Sequence, residues 1–202
     1  MTSSRRKVSN LLGLAVLGLL QESPMHPHAM AATLRERGLD RSFKLTTGSL
    51  YDVVRALERA GWIAAQETAR VGGRPERTVY AHTPLGKEEF VRWLDELLRV
   101  PADEYPKFLS AVTYLGALGP EGAAAALRER AGRLRELIDG IRREHEAALA
   151  EVPRLFVLEA EYALRVMETE LAWAEQTVGE IEAGTLEWPD GWVVDTSSTK
   201  EA

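Results

Sequence analysis

Residues 46–61 read Thr46-Thr47-Gly48-Ser49-Leu50-Tyr51-Asp52-Val53-Val54-Arg55-Ala56-Leu57-Glu58-Arg59-Ala60-Gly61. On a helical wheel of about 100° per residue they separate into two unlike sides. Leu50, Val53, Val54, Leu57 and Ala60 fall on one side, whereas Gly48, Tyr51, Asp52, Arg55 and Arg59 fall on the other. The pattern predicts a helix that buries one face, with Thr46 as its N-cap and Gly61 as its stop. Directly after it, residues 62–68 and 78–82 read as two short strands, joined by Arg70-Val71-Gly72-Gly73-Arg74-Pro75-Glu76-Arg77. A helix followed by a hairpin with three arginines in its turn predicts a winged helix-turn-helix.

The chemistry of the outward side suits nucleic acid. A helix that rests its apolar face on a small domain can put Tyr51, Arg55 and Arg59 into a major groove about 12 Å wide, where arginine pairs bidentately with guanine. Lys44, Thr46, Thr47 and Ser49 stand at or just before the start of the helix and, with the wing residues Arg74 and Arg77, complete the candidate DNA-binding set. Lys44, Arg74 and Arg77 would hold phosphates, which fixes register without reading sequence. Asp52 has two readings. It can accept from cytosine N4, or it can pair with Arg55 one turn away on the same face. An ordinary amphipathic helix with a solvated face shows the same period, so it is the adjoining basic wing that favours DNA.

The charge balance of the 202 residues supports this once it is divided. The whole chain carries a net charge of −6. Residues 1–100 hold 15 Lys and Arg against 11 Asp and Glu, and the remainder holds 10 against 20. A basic half is hidden behind an acidic one, and local positive potential is what counterion release requires. With 45% hydrophobic and 28% charged residues the chain is long enough and apolar enough for one domain or two small ones. It has no cysteine, which removes disulfides, thiolate nucleophiles and cysteine metal sites and fits a cytoplasmic protein. His26 and His28 lack a third ligand in pattern, so no metal and no cofactor is expected.

Around the central stretch the elements fall in order. Arg5-Arg6-Lys7 before the apolar run of residues 11–20 mimics a secretory signal, but Gln21-Glu22-Ser23-Pro24 interrupts it, and ten residues are too few for the roughly 20 that span a bilayer. A first helix is expected over residues 8–21 and a second over 27–37, opened by Pro27 and ended by Gly38. Thr83 and Pro84 predict the start of a helix running to residue 99, with Phe90, Trp93, Leu94, Leu97 and Leu98 on its apolar side. A further helix is expected over residues 105–118, closed by Gly119-Pro120. Beyond it Leu127, Ala131, Leu134, Ile138, Ile141, His145 and Ala148 advance in steps of four and three, and after Pro153 the residues Ala160, Leu164, Met167, Leu171, Ala174, Val178 and Ile181 repeat the steps. Such heptad seams predict two long helices that fold back as an antiparallel, coiled-coil-like hairpin or pair across a dimer. The expected domains are residues 1–100, the reading head with its linking helix; 101–183, a helical dimerisation domain; and 184–202, a tail mobile at its end. The fold class is thus mainly α with a small β-hairpin wing.

Several short motifs follow one another in a set order: Met25-His26, Gly48-Ser49-Leu50-Tyr51, residues 57–63 as Leu-Glu-Arg-Ala-Gly-Trp-Ile, residues 74–80 as Arg-Pro-Glu-Arg-Thr-Val-Tyr, and Thr83-Pro84-Leu85-Gly86. As an ordered set they resemble the PadR family of transcriptional regulators, tightly over about the first ninety residues and in the order of elements beyond. The chain departs from the common pattern at Pro27-His28, where the family often has Gly-Tyr, and at Asp52, where it often has proline. The resemblance implies a homodimeric DNA-binding protein, usually a repressor, often released by a small molecule. It also directs attention to Trp93, because some small members bind flat aromatic compounds near a tryptophan of the equivalent helix.

These readings predict double-stranded operator DNA and a second copy of the chain as partners, with no membrane. Leu127, Leu134, Ile138, Ile141, Leu164, Met167, Leu171 and Val178 are the expected dimerisation residues. An aromatic effector is expected at Phe90, Trp93, Tyr105 and Phe108. The alternative is a winged-helix interaction module without specific DNA binding, suggested by the overall acidity and Asp52. An enzyme is not expected: Ser49 and a distant His82 form the best nucleophile–base pair, and neither a nucleophile elbow nor a phosphate-cradling loop accompanies them.

Overall fold

The computed structural model describes residues 7–39, 46–66, 78–189 and 191–194. Lys44, Arg70, Arg74 and Arg77 lie outside the described residues, as do the side chain of Thr47 and the end of the tail. The chain divides into two units, Met1–Asp103 and Glu104–Ala202.

The first unit is built around α1 (Leu11–Glu22). The helix starts three residues later than the apolar pattern suggests, because Asn10 caps it: its Oδ1 accepts from the Leu12 N–H at 2.9 Å. Leu12, Val16, Leu17, Leu19 and Leu20 are all buried, since α1 is touched by α2 (Pro27–Glu36), α3 (Thr47–Arg59), α4 (Pro84–Arg99) and the second strand. A helix packed on several sides reads as apolar nearly all round, which accounts for the signal-like run. Among the described residues no helix is long and apolar enough to cross a membrane. Pro27 opens α2 at its first turn, where a missing N–H costs nothing. Strands β1 (Ile63–Gln66) and β2 (Val79–His82) pair antiparallel with Ile63 opposite His82 and Gln66 opposite Val79. Met25 adds a single bridge to the outer side of β2, exchanging N–H···O bonds of 2.9 and 3.0 Å with Tyr80.

The second unit begins with α5 (Lys107–Thr113) and a 3-10 turn over Leu115–Leu118. Gly119-Pro120 closes this segment as expected, with Gly119 at a φ of +68°, and also opens α6 (Gly119–Leu149), with Pro120 in its first turn. Proline at a helix start and glycine past a helix end are equally familiar, and the sequence pair serves both neighbours. After a second 3-10 turn, Arg154–Val157, α7 (Leu158–Glu182) returns along α6. The heptad seams meet within one chain: Leu127 packs with Ala174 and Val178, and Leu134 and Ile138 with Leu164.

Ion pairs run across the seam with every arginine of the ladder on α6 or the turn and every glutamate on α7. Arg128 pairs with Glu182, Arg135 with Glu175, Arg142 with Glu168 at 2.8 Å and Arg154 with Glu161 at 2.7 Å. Partners draw together in sequence toward the turn, as antiparallel helices require. Pairs at the surface add little to stability because water and salt screen them, so they set register more than they stabilise. The tail is docked at least as far as Val194. Trp188 Nε1 donates to the Gly116 carbonyl at 2.9 Å, and the Val194 N–H donates to Ala117 at 3.0 Å.

Candidate nucleic-acid interface

Helix α3 is fixed at its start by a reciprocal cap. Thr46 Oγ1 accepts from the Ser49 N–H at 3.1 Å, and Ser49 Oγ accepts from the Thr46 N–H at 2.9 Å. Two of the hydroxyls proposed for DNA contact, those of Thr46 and Ser49, therefore also cap the helix. Leu50, Val53, Val54 and Leu57 are buried between 0% and 5% exposed against α1 and α2. The opposite side, bearing Gly48, Tyr51, Asp52, Arg55 and Arg59, faces solvent. Asp52 and Arg55 form an ion pair on that side, in keeping with the local-partner reading of Asp52.

A close approach of two backbones fixes α4 against the end of α3 and the start of β1. Gly61 turns the chain at a φ of +75°, a left-handed conformation natural to glycine. Its carbonyl accepts from Thr83 Oγ1 at 2.6 Å, while the Thr83 N–H donates to the Trp62 carbonyl at 3.1 Å. Thr83 Oγ1 also accepts from the Gly86 N–H at 3.0 Å. At Gly86 a Cβ would lie 1.8 Å from the Trp62 oxygen. The Gly61-Trp62 and Thr83-Pro84-Leu85-Gly86 motifs are thus two halves of one joint, which periodicity along the chain does not reveal.

His82 closes the underside of the head. Its Nε2–H donates to the Leu17 carbonyl at 2.7 Å, and its Nδ1 is buried without a hydrogen-bond partner among the described residues. Burial is the main influence on the ring and lowers its pKa; the bond to Leu17 opposes this and nearby Lys87 reinforces it. Ser49 serves the α3 cap and His82 serves the core, so each has a structural duty.

The expected effector residues are placed unit by unit. Trp93 is 3% exposed, meets Trp62 edge-on with ring centroids 6.4 Å apart, and lies over Gly13. Phe90 is partly buried beside His82. In the second unit Tyr105 is 88% exposed. Phe108 lies edge-on to Trp173 at 5.7 Å, and Arg130 stands 3.6 Å above its ring. Phe108, Val112, Leu115, Leu127 and Arg130 line an open cavity of about 370 Å³.

The expected dimerisation residues lie along the seam that α6 and α7 form within the chain. Leu127 and Val178 are buried in one cluster within the chain, and Leu134, Ile138 and Leu164 in a second, with Ile141, Met167 and Leu171 beside it. A heptad stripe specifies that two helices meet, not that they belong to different chains. Among the described residues no cluster of histidine and carboxylate side chains could hold a metal ion.

Residues 16–92, which contain α3 and its strands, match the model of the transcriptional regulator PadR-like family. They form a PadR-like domain. No curated protein sequence matches the chain, but solved structures match both the PadR-like domain and the helices that follow it. Bacillus subtilis PadR crystallised in complex with operator DNA has a TM-score of 0.71 at 20% identity, covering 85% of this chain and 99% of that one. The same protein in complex with p-coumaric acid gives 0.72 at 18%, covering 86% and 99%. The Vibrio cholerae virulence activator AphA gives 0.66 at 17%, covering 86% and 99%. At these identities the likeness establishes a fold: a PadR-like winged helix followed by a long helical extension.

Proposed function

We propose that the chain is a homodimeric, cytoplasmic DNA-binding transcriptional regulator, a repressor released from its operator by a small aromatic effector. The observation that carries this reading is α3, which is capped and buried along one side while Tyr51, Asp52, Arg55 and Arg59 face outward. Bidentate arginine contacts to guanine supply sequence reading. Lys44, Arg74 and Arg77 are the proposed phosphate contacts, with Thr46, Thr47 and Ser49 at the helix start.

One head covers a half-site, so two copies are needed for a two-fold operator. With the heptad seam occupied inside the chain, the second copy would be held by outward residues of the hairpin such as Leu137, Tyr162 and Val166, which are 56%, 73% and 49% exposed. The effector class is suggested by the relative crystallised with p-coumaric acid, a planar aromatic acid. Phe90 and Trp93 in the first unit, or Tyr105 and Phe108 in the second, are its proposed contacts, and the buried Trp93 would have to rearrange to take part. Binding to a labelled duplex drawn from the region upstream of the chain's own gene tests the reading. Tight binding to that duplex, weaker binding to a shuffled one, and a smaller difference in Arg55→Ala are expected. Equal binding to both duplexes would favour the interaction-module alternative.

A further inference from the structure

An acidic side chain on a DNA-reading surface is costly unless something offsets it, because phosphate repels it. Asp52 lies in the middle of the outward side of α3, and its carboxylate is paired with Arg55 one turn further on. Both side chains are open to solvent, 70% and 63% exposed, and the residue one turn before Asp52 is Gly48, where an added Cβ would meet nothing within 4 Å among the described residues. The pair therefore stands open to a duplex on the Gly48 side, with the exposed Tyr51 beside it.

We propose that Asp52 is a positioning residue that makes Arg55 a reader of guanine instead of a clamp on phosphate, an inference that rests on the DNA-reading function above. A guanidinium carries five N–H donors in a fixed plane. Arg55 gives Nη2 to Asp52 Oδ1, and its remaining donors still match the O6 and N7 acceptors of a guanine. The carboxylate holds the arginine over the outward face of the helix and cancels the charge that would draw it to the nearest phosphate. In water such an exposed pair is weak; in the groove, where solvent is displaced, the same geometry is held more firmly. Sequence preference rises while indiscriminate affinity falls.

The experiment selects binding sites from a pool of random-sequence duplexes with wild type, Asp52→Asn, Arg55→Ala and the double variant, and measures salt dependence for each. Circular dichroism checks that the exposed substitutions leave the helices intact. For wild type, one guanine per half-site should be preferred by roughly five- to a hundredfold, the range of a bidentate contact. In Asp52→Asn that preference should fall at least threefold. Affinity for unrelated duplex should rise, and the slope of log K against log salt should steepen by about 0.9 for each further phosphate that the freed arginine neutralises. In the Arg55→Ala background Asp52→Asn should no longer change base preference. If Asp52→Asn selects the same sites with the same salt slope, the proposal is overturned while DNA reading stands. A change in preference that persists without Arg55 also overturns it, because Asp52 would then read a base itself. If wild type enriches no sequence at all, the DNA-reading function fails and this inference falls with it.

Discussion

Gly86→Ala should unfold the PadR-like domain at markedly lower temperature, and its geometry sets the size of the effect. The new Cβ would stand 1.8 Å from the Trp62 carbonyl oxygen and 2.7 Å from the carbonyl carbon. Carbon atoms in contact prefer separations of about 3.5–4.0 Å, so α4 must withdraw from the start of β1 by well over an ångström. Both obstructing atoms are backbone, and no side chain can swing aside to relieve them. The withdrawal breaks the Thr83 N–H bond to Trp62 and the Thr83 hydroxyl bond to Gly61. Two such bonds contribute about 1 kcal/mol each, and overpacking adds about 1–3 kcal/mol. The expected loss is therefore about 3–5 kcal/mol, a large share of the roughly 5–15 kcal/mol that stabilises a small domain. Scanning calorimetry of the full chain should show the transition of the PadR-like domain moved down by at least about 12 °C, since each kcal/mol is worth about 4–8 °C at this size. Gly132→Ala is the control. Its Cβ would meet nothing within 4 Å inside α6, and removing backbone freedom there should stabilise the hairpin by about 0.5–1 kcal/mol. A Gly86→Ala transition within about 3 °C of wild type would refute the account of the joint.

Acid should weaken the PadR-like domain through His82. Its pKa is lowered in the folded state, so the unfolded chain takes up the proton more readily; the contribution is complete above the ordinary histidine value of about 6.5 and is lost as pH falls below it. In urea unfolding followed from pH 7.5 to pH 5, His82→Asn should be less stable at the upper end and should lose less on acidification than wild type; parallel curves would show that His82 does not govern the acid response. Ala174 is fully buried between the seam residues Leu127 and Val178, and Ala174→Leu should cost about 1–3 kcal/mol by overpacking. Helical circular dichroism in urea checks this, and an unchanged midpoint would show that the seam has room to spare.

Sequence reasoning succeeded where a local pattern carries the physics. The two faces of α3, its Thr46 cap, the Thr83-Pro84 start of α4 and the paired heptads all depend on residues a few positions apart. It fell short where contacts join distant residues. The approach of Gly86 to Trp62 is invisible to any periodicity, although it explains why glycine stands in that motif. The same limit applies to the seam, whose spacing specifies facing helices without specifying which chain supplies them, and to the tail, where nothing near Trp188 indicates its bond to Gly116. At Gly119-Pro120 the signals were present but pointed both ways, toward a helix end and a helix start. The outward side of α3 was legible in the spacing of its residues, while the ion pair between Asp52 and Arg55 needed coordinates.

The central claim is that two basic heads engage duplex DNA, and the salt dependence of binding tests it most directly. If Lys44, Arg74 and Arg77 of each head neutralise one phosphate apiece, log K for a specific duplex should fall with log salt at a slope of about −5, from about 0.9 per phosphate. Arg55→Ala should reduce the preference for the upstream duplex over a shuffled one, by about 1–3 kcal/mol, while leaving most of that slope in place. A slope near zero, or equal affinity for both duplexes in wild type, would contradict the assignment of α3 and its wing as a DNA-reading head.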